Sequence, residues 1–154
     1  MKIVTKTCKL SVIAAVFGAA MLVSACSSTG MKSADAAPMM AQAAALSGAQ
    51  EVPPNPSVAT GKSTIVIAAD KSVSGKVSFS GMNATAAHIH EAPVGKNGGV
   101  IVPLAKGSDD SFSVPDGAKL TDAQYASYTA GNLYVNVHSA TYPGGEIRVQ
   151  LSPK

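Results

Sequence analysis

Short β-branched runs, separated by turn signals, constrain the fold of this chain more than any other feature. From about residue 45 onward, runs rich in Val, Ile and Thr, often alternating, are separated by Gly, Pro, Asn and Asp. The runs are Ser63–Ala69, Ser72–Ser80, Ala84–Glu91, Gly99–Leu104, Ser111–Val114, Asn132–Ser139 and Glu146–Leu151. Seven or eight such strands in about 110 residues predict an all-β fold, a Greek-key antiparallel β-sandwich or barrel.

One segment within this region is predicted to be helical. Thr121 and Gln124 have the Thr-x-x-Gln spacing of a capping box, and Gly131 stands where a helix would end. We therefore expect a short crossover helix over residues 121–130.

Prolines restrict the first strand of the predicted domain. Pro53, Pro54 and Pro56 follow the segment Leu46–Val52, and proline cannot donate a hydrogen bond within a sheet. This segment is therefore expected at a sheet edge or at the entrance of a strand.

The N-terminal segment has the layout of a bacterial export signal. A basic stretch with Lys2, Lys6 and Lys9 precedes the apolar run Leu10–Val23. The sequence Leu-Val-Ser-Ala-Cys that ends at Cys26 resembles a lipobox, at which a lipoprotein precursor is cut and the cysteine is acylated. The alternative is a plain secretory signal with a coincidental cysteine.

The lipoprotein interpretation divides the chain into three parts. Residues 1–25 form the signal peptide, residues 26–44 a flexible tether rich in Ser, Ala and Met, and residues 45–154 the folded domain. Serines follow Cys26 where an Asp would prevent sorting to the outer membrane of a Gram-negative cell. We therefore expect a lipid-anchored envelope protein, on the outer membrane and facing the periplasm, with no spanning segment.

Charge argues against a nucleic-acid partner, and cysteine content excludes a disulfide or a thiolate metal site in the domain. Three of the twelve basic residues lie in the signal, which leaves nine basic against nine acidic residues. A nearly neutral protein has no electrostatic drive toward nucleic acid, so we expect no such partner. Cys8 and Cys26 are the only cysteines, so the domain has no disulfide, and any metal site in it must lack thiolate.

The three histidines of the chain are the candidate metal ligands. His88 and His90 are two residues apart on one predicted strand and share a face, whereas Ile89 points the other way. His138 ends another strand, on the face that also has Tyr134. If the two strands are neighbours, three imidazoles converge in a site suited to copper or zinc. The alternative is that the histidines only bind loop carbonyls and order turns.

Other polar residues could assist such a site. Glu91 or Glu146 could be a further metal ligand or accept a hydrogen bond from an imidazole N–H, or each could be a solvated carboxylate at a strand end. Tyr134 could flank the histidines or be half-buried at the rim. Lys96 to Gly99 is interpreted as a turn. No Gly-x-Ser-x-Gly motif occurs, which argues against a hydrolase.

Several motifs in order resemble the CHRD domain, a family named after the secreted animal protein chordin. They are Leu46–Pro54, Ala87–Pro93 with Gly95–Leu104 after it, Gly131–Ser139 and Pro143–Leu151. The resemblance implies a β-sandwich, considered immunoglobulin-like, and little settled chemistry. The animal members suggest a binding module, whereas many bacterial members have no assigned function.

A weaker similarity is to copper,zinc superoxide dismutase, also a Greek-key β-sandwich. There, too, a His-x-His pair and a distant histidine bind copper, but this chain lacks the further zinc ligands, so the analogy implies a copper-only site. We therefore expect a copper-binding lipoprotein that sequesters or transfers the metal through His88, His90 and His138, with zinc as the other possible metal. The alternatives are a protein-binding or scaffold module with structural histidines, and a redox enzyme resembling superoxide dismutase. No catalytic residue is assigned, since binding is favoured over turnover.

Overall fold

The structure, a computed structural model, describes residues 43–107 and 109–153. The predicted signal peptide, the acylated Cys26 and nearly all of the predicted tether lie outside the described residues.

Eleven strands and one α-helix make up the described part of the chain. They are β1 (Ala44–Ser47), β2 (Thr60–Ser63), β3 (Val66–Ile67), β4 (Val73–Ser74), β5 (Lys76–Ser80), β6 (Ala84–Glu91), β7 (Gly99–Pro103), β8 (Ala105–Lys106), β9 (Ser111–Ser113), α1 (Asp122–Thr129), β10 (Leu133–Ser139) and β11 (Ile147–Leu151). A 3-10 turn, Gly48–Gln50, follows β1.

Nine of these strands form one antiparallel sheet in the order β7-β6-β10-β11-β1-β2-β5-β9-β8, and β3 pairs with β4 separately. The strands at its two ends, β7 and β8, are separated in the chain only by Leu104, whose N–H donates to the carbonyl of Ala87 on β6 at 2.9 Å. The sheet therefore curls until it is nearly a barrel. The prediction of an all-β fold with one short helix is confirmed.

Alternating residues of the central strands form the core. On β10, Leu133, Val135 and Val137 are fully buried, and Ile89 of β6 and Ile147 of β11 pack in the same cluster. The residues between them on β10 are buried as well, although they point to the opposite face. That face of β6 and β10 is polar and contains the histidines.

Strand β6 has the bounds that the sequence predicted. Two other runs that were each predicted to be a single strand are instead split between two strands. The run Ser63–Ala69 contributes only the end of β2 and the short β3. The run Ser72–Ser80 breaks at Gly75, which has a φ of +105°, and a Cβ there would lie 2.3 Å from the carbonyl oxygen of Thr64. The chain thus needs glycine at the point where β4 ends and β5 begins.

The expectation that Leu46–Val52 lies at an edge is wrong. Strand β1 is an interior strand, paired with β11 on one side and β2 on the other. It ends at Ser47, before the prolines, which lie beyond the 3-10 turn and need not donate to the sheet.

The capping box is present as predicted. The hydroxyl of Thr121 accepts from the backbone N–H of Gln124 at 3.2 Å, and the side chain of Gln124 accepts from the N–H of Thr121 at 2.9 Å. Helix α1 begins at the next residue, Asp122. Among the described helices, none is long and apolar enough to cross a membrane.

Candidate metal centre

The two strands that contain the histidines are neighbours in the sheet. On β6, His88 lies opposite Asn136 of β10, and His90 lies opposite Tyr134. Ile89 between them is fully buried in the core, as strand alternation requires. The side chains of His88 and His90 therefore share the outer face of the sheet.

His138 completes the cluster from β10. It pairs with Ala86 and so lies diagonally across from His88. Nδ1 of His88 is 3.0 Å from Nε2 of His138, and the three residues offer one ring nitrogen each within 4.8 Å of one another. The structure thus brings together the three histidines that the sequence analysis selected.

Two backbone carbonyls orient two of the rings. Nδ1 of His90 lies 3.0 Å from the carbonyl oxygen of Gly98, and Nδ1 of His138 lies 3.0 Å from that of Pro143. A carbonyl oxygen can only accept, so in each ring Nδ1 holds the proton and Nε2 keeps its lone pair. Nε2 of His90 is buried and has no hydrogen-bond partner in the described part of the chain.

Burial keeps the cluster neutral. Desolvation lowers the pKa of His88, His90 and His138 below the ordinary value of 6.5, and the proximity of the rings to one another lowers the pKa of His90 and His138 further. His90 and His138 are buried, whereas His88 is partly exposed. At neutral pH the cluster therefore offers imidazole lone pairs, reached from solvent at His88.

Tyr134 lies against the cluster, as one of the two interpretations of the sequence expected. Its ring stacks on that of His90, with centroids 4.8 Å apart and planes 5° from parallel. It is only 2% exposed, so it is not a half-buried rim residue. Its hydroxyl accepts from the N–H of Gly98 at 3.2 Å.

Gly98 therefore contacts both rings, through its carbonyl to His90 and through its N–H to Tyr134. A Cβ at this position would lie 1.8 Å from the carbonyl oxygen of Glu91, so only glycine fits. The sequence analysis placed this residue in a turn but gave it no role at the site. Its proximity to the histidines depends on how the loop folds back, which no local pattern encodes.

Arg148 is a second residue that the sequence analysis missed. It is 2% exposed on β11, and its guanidinium carbon lies 3.4 Å from the centroid of the Tyr134 ring. The guanidinium donates to the side chains of Asn97 at 3.1 Å and Gln150 at 3.2 Å, and to the carbonyl of Lys96 at 3.0 Å. Arg148 lies between the apolar residues Ile147 and Val149 in the sequence. Such alternation normally predicts a side chain on the exposed face of a strand.

Glu51 is a buried carboxyl close to this group. It is 5% exposed, and its Oε1 has no hydrogen-bond partner among the described residues; the same is true of Oδ1 of Asn136. Burial raises the pKa of Glu51 from 4.5 to about 7, although the positive charge of Arg148 and the side chain of Asn136 oppose the rise. At neutral pH this carboxyl is therefore only partly ionised.

The suggestion that Glu91 or Glu146 accepts from an imidazole is wrong. Glu91 accepts from the hydroxyl of Ser127 at 2.5 Å. Glu146 is buried and accepts from the hydroxyls of Ser57, at 2.6 Å, and Ser139, so it is not a solvated carboxylate either. Backbone carbonyls take the place of the expected carboxylates at His90 and His138.

Comparison with known proteins gives one match. No curated protein and no solved structure matches the chain. The family model of the CHRD domain matches residues 42–151, which include every strand described above and all three histidines. The chain belongs to the CHRD domain family.

Proposed function

We propose that this protein binds one copper ion through His88, His90 and His138, and that it sequesters or transfers the metal at the cell envelope. The main support is the orientation of the buried rings. The carbonyls of Gly98 and Pro143 hold protons on Nδ1, so Nε2 of His90 and of His138 keeps its lone pair, and Nε2 of His138 lies 3.0 Å from Nδ1 of His88.

The unpartnered nitrogen of His90 favours a ligand over a purely structural role. A buried polar atom without a partner destabilises a fold by about 1–3 kcal/mol. The structural alternative explains the bonds from Nδ1 to the carbonyls but leaves Nε2 of His90 without a hydrogen-bond partner among the described residues. A metal ion bound at Nε2 would satisfy that atom.

Ligand chemistry favours copper over zinc. Nitrogen ligands bind Cu²⁺ more tightly than Zn²⁺ in the Irving–Williams order. His88, whose Nδ1 donates to His138 while no ion is bound, would offer that nitrogen after its proton moves to Nε2.

Binding is proposed in preference to turnover. Two of the three ligands are buried, and Arg148 is itself buried behind Tyr134, so it cannot guide an anionic substrate from solvent. The partly exposed His88 gives the ion one route in and out, which suits storage or transfer.

The cellular location is part of the same proposal. Acylation of Cys26 would hold the domain at a membrane surface, on the outer membrane facing the periplasm, without a spanning segment. Its support is the lipobox-like sequence that closes the apolar run Leu10–Val23.

A titration of the metal-free protein with cupric ion tests the proposal. We expect one equivalent to bind, with a visible absorption band and a paramagnetic resonance signal typical of nitrogen ligands. Glu91→Gln is a matched control on β6, because Glu91 bonds to Ser127 and not to an imidazole, and it should bind copper like the wild type. If the wild type binds no copper, the histidines are structural and a scaffold role replaces this function.

A further inference from the structure

Arg148 is a buried cation that forms no ion pair among the described residues. In residues 43–107 and 109–153 the one ion pair joins Lys71 to Asp122, far from Arg148 in sequence. The groups that accept from Arg148 are two side-chain amide oxygens and a carbonyl, all uncharged. Buried charges are usually paired, because an unpaired one in a medium of low polarity is unfavourable. The positive charge therefore acts on its surroundings with little compensation.

The strand order places this charge beside the metal centre. Strand β10 lies between β6 and β11, so His90 and Arg148 approach Tyr134 from its two sides. The aromatic ring lies between the guanidinium and the imidazole. Charges interact more strongly across such a buried path than across water.

Glu51 is a buried carboxyl close to Arg148. Among the described residues, it is the carboxyl that interacts electrostatically with the guanidinium. Its Oε1 is unpartnered, and it lies near enough to Arg148 for the two to interact electrostatically. Because its pKa is about 7, Glu51 neutralises Arg148 only in part at neutral pH. Of the three histidines, His90, which stacks on Tyr134, is the one whose protonated form the positive charge of Arg148 disfavours, so the pKa of His90, which burial already lowers, is lowered further.

We propose that Arg148 shifts the balance of the three-histidine site toward cuprous over cupric ion. This inference rests on the proposed copper binding and adds a residue that alters the relative affinity of the site for the two oxidation states. A fixed positive charge repels a divalent ion about twice as strongly as a monovalent one at the same place. Net charge around a metal centre is a known determinant of its reduction potential. The proposal compares affinities for two ions and requires no electron transfer within the protein.

The test measures the dissociation constants of Cu⁺ and Cu²⁺ separately, by competition with a chromophoric chelator for each ion. In Arg148→Met, which removes the charge, we expect the ratio of the two constants to move at least tenfold in favour of Cu²⁺, or ~59 mV in potential. Arg148→Lys retains a positive charge but loses the planar stacking on Tyr134 and the forked hydrogen bonds, so its ratio should lie between those of the wild type and Arg148→Met. Glu51→Gln removes the offsetting charge and should move the ratio the opposite way.

The outcomes separate this inference from the proposed function. If the wild type binds neither ion, copper binding fails and this inference fails with it. If the wild type binds copper but the ratio is unchanged in Arg148→Met and Glu51→Gln, the inference alone is overturned. If Arg148→Met binds Cu⁺ and Cu²⁺ more weakly by the same factor, Arg148 has a merely structural role, and the inference is also overturned. If Arg148→Met does not fold, the nearly isosteric Glu51→Gln decides.

Discussion

Nδ1 of His88 lies 3.0 Å from Nε2 of His138, although the two residues are fifty positions apart in sequence. The pairing of β6 with β10 creates this contact. The candidate metal centre therefore exists only in the folded domain, and metal binding and folding are linked.

Removing either of these histidines should weaken copper binding at least tenfold, because even changes to residues behind a ligand reduce affinity about 10–100-fold. His88→Ala is the cleaner variant, since His88 is partly exposed and its loss should leave the fold intact. Competition titration gives the affinity and circular dichroism checks the fold. Wild-type affinity in His88→Ala or His138→Ala would exclude a shared site.

Copper should raise the thermal stability of a domain that already folds without it. About 110 residues with an apolar core suffice for independent folding, whereas much smaller domains usually need a staple. Ligand binding to the folded state alone adds ~2.7 kcal/mol when the free ion is at a hundred times its dissociation constant. Calorimetry with and without copper measures the shift, and a metal-free protein without a cooperative transition would contradict this prediction.

Gly98→Ala should both destabilise the domain and weaken copper binding. The added methyl group would lie 1.8 Å from the carbonyl oxygen of Glu91, so the loop must move, and such overpacking typically destabilises by roughly 1–3 kcal/mol. The movement would also displace the carbonyl that orients His90.

Gly99→Ala is the matched control, because a Cβ at the next residue meets nothing within 4 Å and Gly99 does not need a positive φ. Urea unfolding and copper titration of the two variants side by side make the comparison. Equal behaviour of the two would show that the approach of Gly98 to Glu91 is unimportant.

Glu51 should make the stability of the metal-free protein depend on pH. Its pKa is about 7 in the folded state against 4.5 ordinarily, so folding favours the protonated carboxyl. The stability that the neutral form contributes is fully present below pH 4.5 and is lost as the pH rises through 7.

Thermal melts of wild type and Glu51→Gln from acid to mildly basic pH isolate this effect, since the histidines contribute similarly to both proteins. We expect the melting temperature of the wild type to fall relative to that of Glu51→Gln as the pH rises across this window. A constant difference would mean that Glu51 titrates normally.

Replacing Cys26 with Ser should release the protein from the membrane fraction or leave it unprocessed, because the hydroxyl cannot be acylated by the lipoprotein pathway. Cell fractionation and the electrophoretic mobility of the precursor report the change. A variant that fractionates and migrates like the wild type would show that Cys26 is not the anchor.

Local patterns predicted the parts of this structure that local interactions determine. The bounds of β6 follow from an uninterrupted run, the start of α1 from the Thr121–Gln124 capping box, and the shared face of His88 and His90 from strand periodicity. The sequence analysis made the meeting of these histidines with His138 conditional on adjacent strands. The condition is met, since β6 and β10 are paired.

The features that prediction missed depend on contacts between distant segments. Arg148 alternates with apolar residues as an exposed strand residue would, yet it is buried, and the loop with Lys96 and Asn97 accepts hydrogen bonds from it. Glu146 likewise finds its partner Ser57 across 89 positions of sequence. Periodicity along one strand contains no information about which loop covers its outer face.

The meeting of β7 and β8 at Leu104 affects how copies of the protein behave at high local concentration. An open sheet offers its outermost strands as a template on which another molecule can add a strand and start a fibre. Here the outermost strands of the main sheet, β7 and β8, are separated in the chain only by Leu104 and lie close together. They therefore offer little free edge on which another molecule could add a strand. Many copies could then crowd together on a surface without their main sheets joining into a polymer.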